Sequence, residues 1–226
     1  MKTYVFSLLI LFQSTSLFAQ INDSIYFHEK PKFQSVQLLP PVALMMAGLL
    51  SNGSGKESLK IEIAEERNEH LSHFRTHLDD YLQFSPILLT YGLDAAGIKS
   101  RTDIGNRTVI LLKSEILMMG SVSALKNITH KIRPDGSGYN SFPSGHTAQA
   151  FAAATFLTEE YGHRYKWLPF MAFSIASSVG TLRMANNRHY ISDVLMGAGM
   201  GILSVKISYW THRYKWGPKP AKYLVY

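Results

Sequence analysis

The residues best suited to chemistry lie between positions 126 and 193, in three short clusters that combine cations, histidines, a serine, a glycine and an aspartate. The clusters are Lys126 with Arg133 and Pro134 after six intervening residues, Pro-Ser-Gly-His at positions 143–146, and Arg183 with His189 and Asp193. Each cluster is short and weak alone. Together they offer one site three cations, two histidines and a carboxylate.

The three cations, Lys126, Arg133 and Arg183, predict an anion-binding site. A fold gathers three positive groups only when an anion neutralises them, and the arginine fork matches two phosphate oxygens at once. Ser144 stands before an apolar stretch that predicts a helix, where it can act as the N-cap, and Gly145 lets the backbone approach a ligand closely. The free N–H groups and positive dipole end of that helix favour the same anion.

His189 and Asp193 are four residues apart, so both lie on one face of a helix that begins near His189. Asp193 can accept the proton on Nδ1 and leave Nε2 free to act as a nucleophile or as a base. The surrounding cations make the pocket electropositive, which disfavours a divalent metal ion. The absence of cysteine from the 226 residues excludes a thiolate nucleophile and cysteine-ligated metal centres. We therefore expect no metal and no cofactor.

Six apolar stretches must position these clusters, and they are rich in Ala, Leu, Met and Gly without the alternation of half-buried strands. They cover residues 36–50, 86–98, 109–125, 148–157, 168–179 and 194–205. Residues 56–83 are highly charged, with an apolar stripe at helical spacing, and predict one amphipathic helix. We therefore predict an all-α fold, a bundle of about six core helices with one additional amphipathic helix, in a single domain over residues 36–212.

The relation of these stretches to a membrane has two interpretations. None of the six reaches about 18 residues without a charged or strongly polar residue, and Lys113 and Glu115 interrupt the third. This favours a soluble or membrane-surface helical domain over a multi-span protein, although both stay open. Residues 213–226 form a basic tail with interleaved aromatic residues, which is typical of interfacial anchors and also of a solvated basic tail.

The N-terminal segment has the pattern of an export signal. Lys2 precedes an apolar run that ends at Ala19, which predicts a secretory signal peptide over residues 1–19, with a retained membrane anchor as the alternative. Residues 20–35 predict a polar linker. Either way we expect the chain to be exported, to the periplasmic or extracytoplasmic face. Lys and Arg outnumber Asp and Glu by 23 to 16, and this net charge of +7 favours an anionic partner. For an exported chain we expect that partner to be phosphate or a membrane surface rather than nucleic acid.

The three clusters resemble the signature motifs of the type 2 phosphatidic acid phosphatase and vanadium haloperoxidase superfamily, whose core is all-helical. The resemblance implies five phosphate-binding residues, namely Lys126, Arg133, Ser144, Gly145 and Arg183. It implies that His189 is the nucleophile, that Asp193 orients it, and that His146 is the general acid. Leu182 departs from the pattern, because the family has a serine before the third-motif arginine.

The resemblance also implies an activity, a two-step, metal-independent hydrolysis. His189 attacks phosphorus, His146 protonates the leaving alkoxide, and water then cleaves the phosphohistidine. Substrates of the implied class are lipid phosphates such as phosphatidate, isoprenoid pyrophosphates, lipid A phosphate and soluble phosphomonoesters. Leu182 motivates one alternative, a non-catalytic protein that binds phosphate or an anionic headgroup without turnover. A vanadium-dependent haloperoxidase is a further alternative, but that branch has much longer chains.

Overall fold

The computed structural model describes residues 33–53, 55 and 58–213. Within these ranges a 3₁₀ helix (Ser35–Leu38) precedes eight α-helices, and no strand occurs. The α-helices are α1 (Leu39–Leu50), α2 (Leu59–His70), α3 (Leu78–Leu82), α4 (Ser85–Ala95), α5 (Ile104–Thr129), α6 (Gly145–Tyr161), α7 (Leu168–Ala185) and α8 (Ile191–Trp210). The predicted all-α fold is confirmed. The predicted signal peptide, all of the linker up to residue 32, and the tail from residue 214 onward lie outside the described residues.

Helices α1, α4, α5, α6, α7 and α8 run along the bundle, and each runs opposite to the one before it in this series. Gly48, near the end of α1, lies against the start of α8, and Gly180, late in α7, lies against Val194 of α8. The backbone N–H of Ser144 donates to the carbonyl of Asp193 at 2.9 Å, which joins the starts of α6 and α8. The last turns of α5 and α7 and the first turns of α6 and α8 therefore meet at one end of the bundle, which we call the site end.

Close packing of α6 against α8 sets the spacing at the site end. A Cβ at Gly201 would lie 2.2 Å from the carbonyl oxygen of Ala148, and a Cβ at Gly197 would lie 2.4 Å from that of Ser144. No side chain fits at either position, so the two glycines let the helix backbones approach each other. Because both helices begin at the site end, this contact holds the first turn of α8 beside the first turn of α6.

The opposite end of the bundle, the far end, is held by buried polar contacts. Glu160 of α6 is fully buried and accepts hydrogen bonds from the backbone N–H of Thr102 at 2.8 Å and from the hydroxyl of Tyr209. Arg107 of α5 is also fully buried and donates to Asp94 of α4 at 2.8 Å. These contacts satisfy groups that would be costly to bury alone. They tie α4, α5, α6 and α8 together at the end away from the site.

The six predicted apolar stretches correspond to the six helices that run along the bundle, so the prediction of about six core helices is confirmed. The single amphipathic helix predicted over residues 56–83 is wrong, because α2 and α3 are separate helices. Between them the backbone N–H and carbonyl of Thr76 bond the side-chain amide of Asn186, at 2.9 and 2.8 Å. These tertiary bonds replace helical ones, and they hold α2 and α3 across the site end.

Two helices, α5 with 26 residues and α8 with 20, are long and apolar enough to cross a membrane by length and composition. Most of α8 is buried, whereas most of α5 is not. Large apolar side chains are exposed on four of the six helices that run along the bundle, among them Leu39 and Met46 of α1, Leu88 of α4, Ile116 of α5 and Phe170 of α7. An apolar surface of this extent favours membrane association.

The charges that interrupt the third apolar stretch are paired with neighbouring residues of the protein. Lys113 donates to the hydroxyl of Thr211 at 2.9 Å, and Glu115 accepts a hydrogen bond from Gln149 at 2.8 Å. Several apolar residues of α5, such as Ile116, are exposed instead. The two charged residues therefore face the protein, and the outer face of α5 can still be apolar. A count of consecutive apolar residues along the sequence does not show this.

Candidate active site

The structure brings all eight predicted site residues to the site end. Lys126 and Arg183 lie in the last turns of α5 and α7, and Arg133 follows α5. Ser144 caps α6, which begins with Gly145 and His146. His189 precedes α8, and Asp193 lies in the first turn of α8. The charges of Lys126, Arg133 and Arg183 act on one another, and Asp193 acts on both Lys126 and Arg133. Three clusters that are distant in sequence therefore share one site.

His189 and Asp193 form a buried pair, with 3% and 1% of their surfaces exposed. Nδ1 of His189 lies 3.4 Å from Oδ2 of Asp193, at the long end of the hydrogen-bond range. The same oxygen accepts from the backbone N–H of Tyr190 at 2.9 Å and from the hydroxyl of Ser141. These donors fix the carboxylate, and the carboxylate in turn selects the tautomer of His189 that carries its proton on Nδ1.

Burial controls the protonation of His189. The pKa of His189 is lowered to about 4, chiefly by burial; Asp193 opposes this shift, and the charges of Lys126 and Arg183 add to it. The ring is therefore neutral at pH 7, and a neutral imidazole is the nucleophilic form. With Nδ1 facing Asp193, the nitrogen left to attack a ligand is Nε2.

One asparagine orients two of the cations. Lys126 donates to the backbone carbonyl of Asn140, and Nε of Arg133 donates to its side-chain oxygen at 2.8 Å. Burial, followed by the charges of Arg183 and Arg188, lowers the pKa of Arg133, although an arginine remains protonated in a protein. Asn140 is uncharged, so it orients these two cations without neutralising them, and their positive charges can attract an anion.

The start of α6 has the predicted cap. Ser144 is fully buried, and its hydroxyl accepts from the backbone N–H of Thr147 at 3.4 Å. A Cβ at Gly145 would approach only Val122, at 4.0 Å, so packing within the described residues does not require a glycine there. The close approach of a ligand to Gly145 remains a prediction that agrees with this open space.

Arg183 is held by an acidic residue of α3. Its Nη1 donates to Oδ2 of Asp79 at 2.7 Å, and Asp79 is fully buried and also accepts from the side chain of Asn186 at 3.1 Å. Nε of Arg183 is buried and has no hydrogen-bond partner among the described residues. The guanidinium is therefore fixed in place beside the other cations of the site end.

His146 is held by the next residue of α3. Its Nε2 lies 2.8 Å from Oδ1 of Asp80, whose other oxygen lies 3.2 Å from Nδ1 of His77. Burial and then the charge of Arg183 lower the pKa of His146, while the hydrogen bond and charge of Asp80, and the charge of Asp79, raise it. The net effect is a pKa of His146 below its ordinary value, which Asp79 and Asp80 keep from falling further.

The sequence alone did not identify Asp79 and Asp80 as site residues. They belong to a segment that predicts a charged helix surface, and Asp79 is 104 positions from its partner Arg183. Their adjacency is the only sequence signal, and it is a weak one. Asn140 and Ser141 were also missed, although both lie between the first and second clusters, where polar residues could have been considered.

The ligand atoms of Asp79, Asp80 and His146 lie within 4.8 Å of one another, a spacing that a metal ion could use. Nη1 of Arg183 already lies 2.7 Å from Asp79 and 3.9 Å from Asp80, so the guanidinium offsets one of the two negative charges and occupies a carboxylate oxygen that a metal ion would need. A metal ion at this position would have to displace that contact. A metal-free site remains a prediction for chelation to test.

Comparison with known proteins gives the family. A model described as the PAP2 superfamily matches residues 107–217, which include all eight predicted site residues. Residues 107–217 belong to the PAP2 superfamily. The resemblance carried by the three sequence clusters is thereby confirmed. The matched segment contains α6, α7, α8 and nearly all of α5, and α1 to α4 lie before it.

Two curated PAP2 relatives show how far the similarity extends. The lipid A 1-phosphatase of Porphyromonas gingivalis is 37% identical over 185 residues, which is 81% of this chain and 40% of that protein. The probable lipid phosphate phosphatase 4 of Arabidopsis thaliana is 37% identical over 83 residues, 32% of this chain and 27% of that protein. The chain therefore spans less than half the length of each of these relatives.

A solved PAP2 structure supports the fold. The crystal structure of Aquifex aeolicus LpxE superposes with a TM-score of 0.50 at 23% sequence identity, over 70% of this chain and 97% of that one. At this identity the similarity concerns the fold alone. It agrees with the helical architecture around the site end.

Proposed function

We propose that this chain is a metal-independent phosphatase that removes phosphate from a lipid-linked phosphomonoester or pyrophosphate through a phosphohistidine on His189. The observation that carries the proposal is the buried, neutral His189, held by Asp193 and facing the charges of Lys126 and Arg183. A neutral nucleophile beside fixed cations suits attack on an anionic phosphorus centre. The PAP2 family of the chain supports the same chemistry.

In the first step, Nε2 of His189 forms a bond to phosphorus as the bond from phosphorus to the leaving oxygen breaks. The ring gains positive charge, which the carboxylate of Asp193 stabilises across the Nδ1 proton. Lys126, Arg133 and Arg183, with the N–H groups at the start of α6, hold the charge on the phosphoryl oxygens. These groups are fixed before substrate arrives, so little reorganisation is needed during the reaction.

His146 gives the leaving oxygen its proton. An alkoxide is a poor leaving group, and general acid catalysis typically contributes about 10²- to 10⁴-fold in rate. In the second step water attacks the phosphohistidine, His146 takes the proton from that water, and phosphate leaves with His189 again neutral. The two histidines thus have separate roles, one bonded to phosphorus and one moving protons.

The substrate class is a phosphate attached to a lipid. Both curated relatives described above carry lipid phosphatase names, one for lipid A and one for lipid phosphates. The exposed apolar side chains on α1, α4, α5 and α7 would lie against acyl chains while the phosphate enters the site end. Membrane association therefore supports a lipid-linked substrate over a soluble phosphomonoester.

We place the site on the extracytoplasmic face, because residues 1–19 have the pattern of an export signal. Helices α1, α4 and α5 run along the bundle between residue 33 and the site end. If all three crossed the membrane, residue 33 and the site would lie on opposite sides. For the site to be extracytoplasmic, either residue 33 must lie in the cytoplasm or one of the three helices must not span the membrane. The second case applies after cleavage of a signal peptide, because residue 33 is then outside. Reporter fusions at Gly136 and at Arg213 test this, and a cytoplasmic signal at Gly136 would contradict the placement.

The activity is tested by phosphate release in the presence of EDTA, on phosphatidate, an isoprenoid pyrophosphate, lipid A and an aryl phosphate. Release from a lipid substrate supports the proposal, and binding without release supports the non-catalytic alternative. His189→Ala should abolish turnover of every substrate. His146→Ala should lose alkyl substrates far more than the aryl phosphate, whose leaving group needs no proton. Equal losses on both would mean that the two roles are wrongly assigned.

A further inference from the structure

The short helix α3 supplies two adjacent carboxylates to the site end, and each one holds a different site residue. Asp79 bonds Arg183 at 2.7 Å, and Asp80 lies 2.8 Å from Nε2 of His146. Helix α3 lies outside residues 107–217, the segment that matches the family model. The three sequence clusters include neither carboxylate.

We propose that Asp80 is the positioning residue of the proton-donating histidine: it holds the Nε2 proton of His146 and so makes Nδ1 the atom that protonates the leaving oxygen. The proposal rests on the phosphatase function proposed above. It gives the site two histidine–carboxylate pairs with mirrored geometry. In one, Asp193 holds Nδ1 of His189 and frees Nε2, and in the other Asp80 holds Nε2 of His146 and frees Nδ1.

The contacts of Asp80 fix its carboxylate. Oδ1 faces His146, Oδ2 lies 3.2 Å from Nδ1 of His77, and Nη1 of Arg183 lies 3.9 Å from Oδ1. The neighbouring Asp79 is fully buried by its bonds to Arg183 and Asn186. Because Asp79 anchors α3 to α7, Asp80 is presented to α6 at a fixed distance.

The proton balance of the step follows from this pairing. Before the step the ring of His146 is protonated on both nitrogens. The Nδ1 proton moves to the leaving oxygen as its bond to phosphorus breaks, and the neutral ring keeps its Nε2 proton on Asp80. In the second step Nδ1 takes a proton from the attacking water. Asp80 remains ionised throughout, so it supplies orientation and charge and no proton of its own.

Asp80 also opposes the groups that disfavour the protonated ring. The charged groups acting on His146 are Arg183 from α7, which lowers its pKa, and Asp79 and Asp80 from α3, which raise it. His77 precedes α3 and bonds Asp80. Further ionisable groups of the site end are Lys126, Arg133, His189 and Asp193, together with the ion pair of Asp135 and Arg188. Removal of the Asp80 charge should therefore leave less His146 protonated near neutral pH.

The test uses the full chain in detergent or vesicles and compares Asp80→Asn, Asp80→Glu and a control, Glu65→Gln. Glu65 lies exposed on α2, so its substitution makes the same charge change away from the site. For Asp80→Asn we expect kcat on an alkyl phosphate to fall about 10- to 100-fold, part of the usual range for acid catalysis, with a much smaller loss on an aryl phosphate. The high-pH limb of kcat/KM, which reports loss of the acid's proton, should move to lower pH.

Asp80→Glu keeps the charge, so it should keep the position of the high-pH limb while kcat on the alkyl substrate falls. This variant also carries the test if Asp80→Asn fails to fold. Equal losses on both substrates with an unmoved limb would indicate a structural role and overturn the proposal, as would wild-type behaviour of both variants. Dependence of the wild type on an added divalent ion would also overturn it in favour of a metal site at Asp79, Asp80 and His146. If the wild type releases no phosphate from either substrate, the phosphatase function itself fails, and that result is distinct from a normal wild type with an insensitive Asp80.

Discussion

Replacing Asp193 with asparagine isolates the charge that stabilises the nucleophile. The substitution keeps the shape of the side chain and can keep an oxygen near Tyr190, Ser141 and His189, whose atoms surround Oδ2. It removes only the negative charge beside the ring. Because the ring becomes positive on bonding phosphorus, the loss should fall on the formation of phosphohistidine.

The size of the effect follows from the 3.4 Å between Nδ1 of His189 and Oδ2 of Asp193. At an effective dielectric constant of about 20, two unit charges at this distance attract by about 5 kcal/mol, which is an upper bound. A hydrogen bond to a charged group contributes about 1.5–3 kcal/mol net. At about 1.4 kcal/mol for each tenfold change in rate, we expect phosphorylation to slow by about 10- to 10²-fold.

The assay is single-turnover phosphorylation by an aryl phosphate, with steady-state kcat measured in parallel. Asp135→Asn is the matched control, because Asp135 pairs with Arg188 at 3.0 Å at the same end of the bundle and has no role in the proposed mechanism. The control should stay within about threefold of the wild type, as expected for a surface ion pair. Phosphorylation of Asp193→Asn at the wild-type rate would refute the role given to the carboxylate.

Three further results are expected. Gly201→Ala places a Cβ 2.2 Å from the carbonyl of Ala148 and should lower the free energy of unfolding by about 1–3 kcal/mol. The control Gly120→Ala, whose Cβ would have no atom within 4 Å, should not lower it. Equal denaturation midpoints of the two variants would contradict the packing of α6 on α8. His189 has a pKa of about 4 in the folded chain against about 6.5 in the unfolded chain. Its contribution to the free energy of unfolding is therefore complete above pH 6.5 and is lost as the pH falls to 4. The unfolding free energy of His189→Gln should therefore fall less over that interval than that of the wild type, and parallel curves would contradict burial of a neutral ring. Vanadate should inhibit turnover and EDTA should not, because vanadate adopts the geometry of phosphoryl transfer and the oxyanion site is made of protein groups; loss of activity on chelation, restored by a divalent ion, would contradict this.

The sequence was sufficient for the parts of the fold that repeat a simple pattern. Apolar stretches of 10 to 17 residues marked all six helices that run along the bundle, because burial and helix propensity act locally. The break between α2 and α3 could not be read in this way. It depends on the bonds of Thr76 to Asn186, residues 110 positions apart, which compete with local helix formation.

The site residues also differ in whether their contacts are local or long-range in the sequence. The three clusters contain the residues whose spacing is local, such as His189 and Asp193 at four positions, and these pair as expected. Asp79 and Asp80 meet Arg183 and His146 only through the folding of α3 over the site end. No periodicity or motif encodes that contact, so the carboxylate partner of the second histidine was visible only in three dimensions.

The central claim is that His189 becomes bonded to phosphorus, and trapping that bond tests it most directly. His146→Ala, treated with an aryl phosphate carrying labelled phosphorus and quenched in alkali, should accumulate an acid-labile phosphoenzyme, because the second step lacks its proton acceptor. Peptide mapping should place the label on His189, and the same preparation with His189→Ala added should carry none. Label on any other residue, or aryl phosphate turnover that persists without His189, would contradict the account.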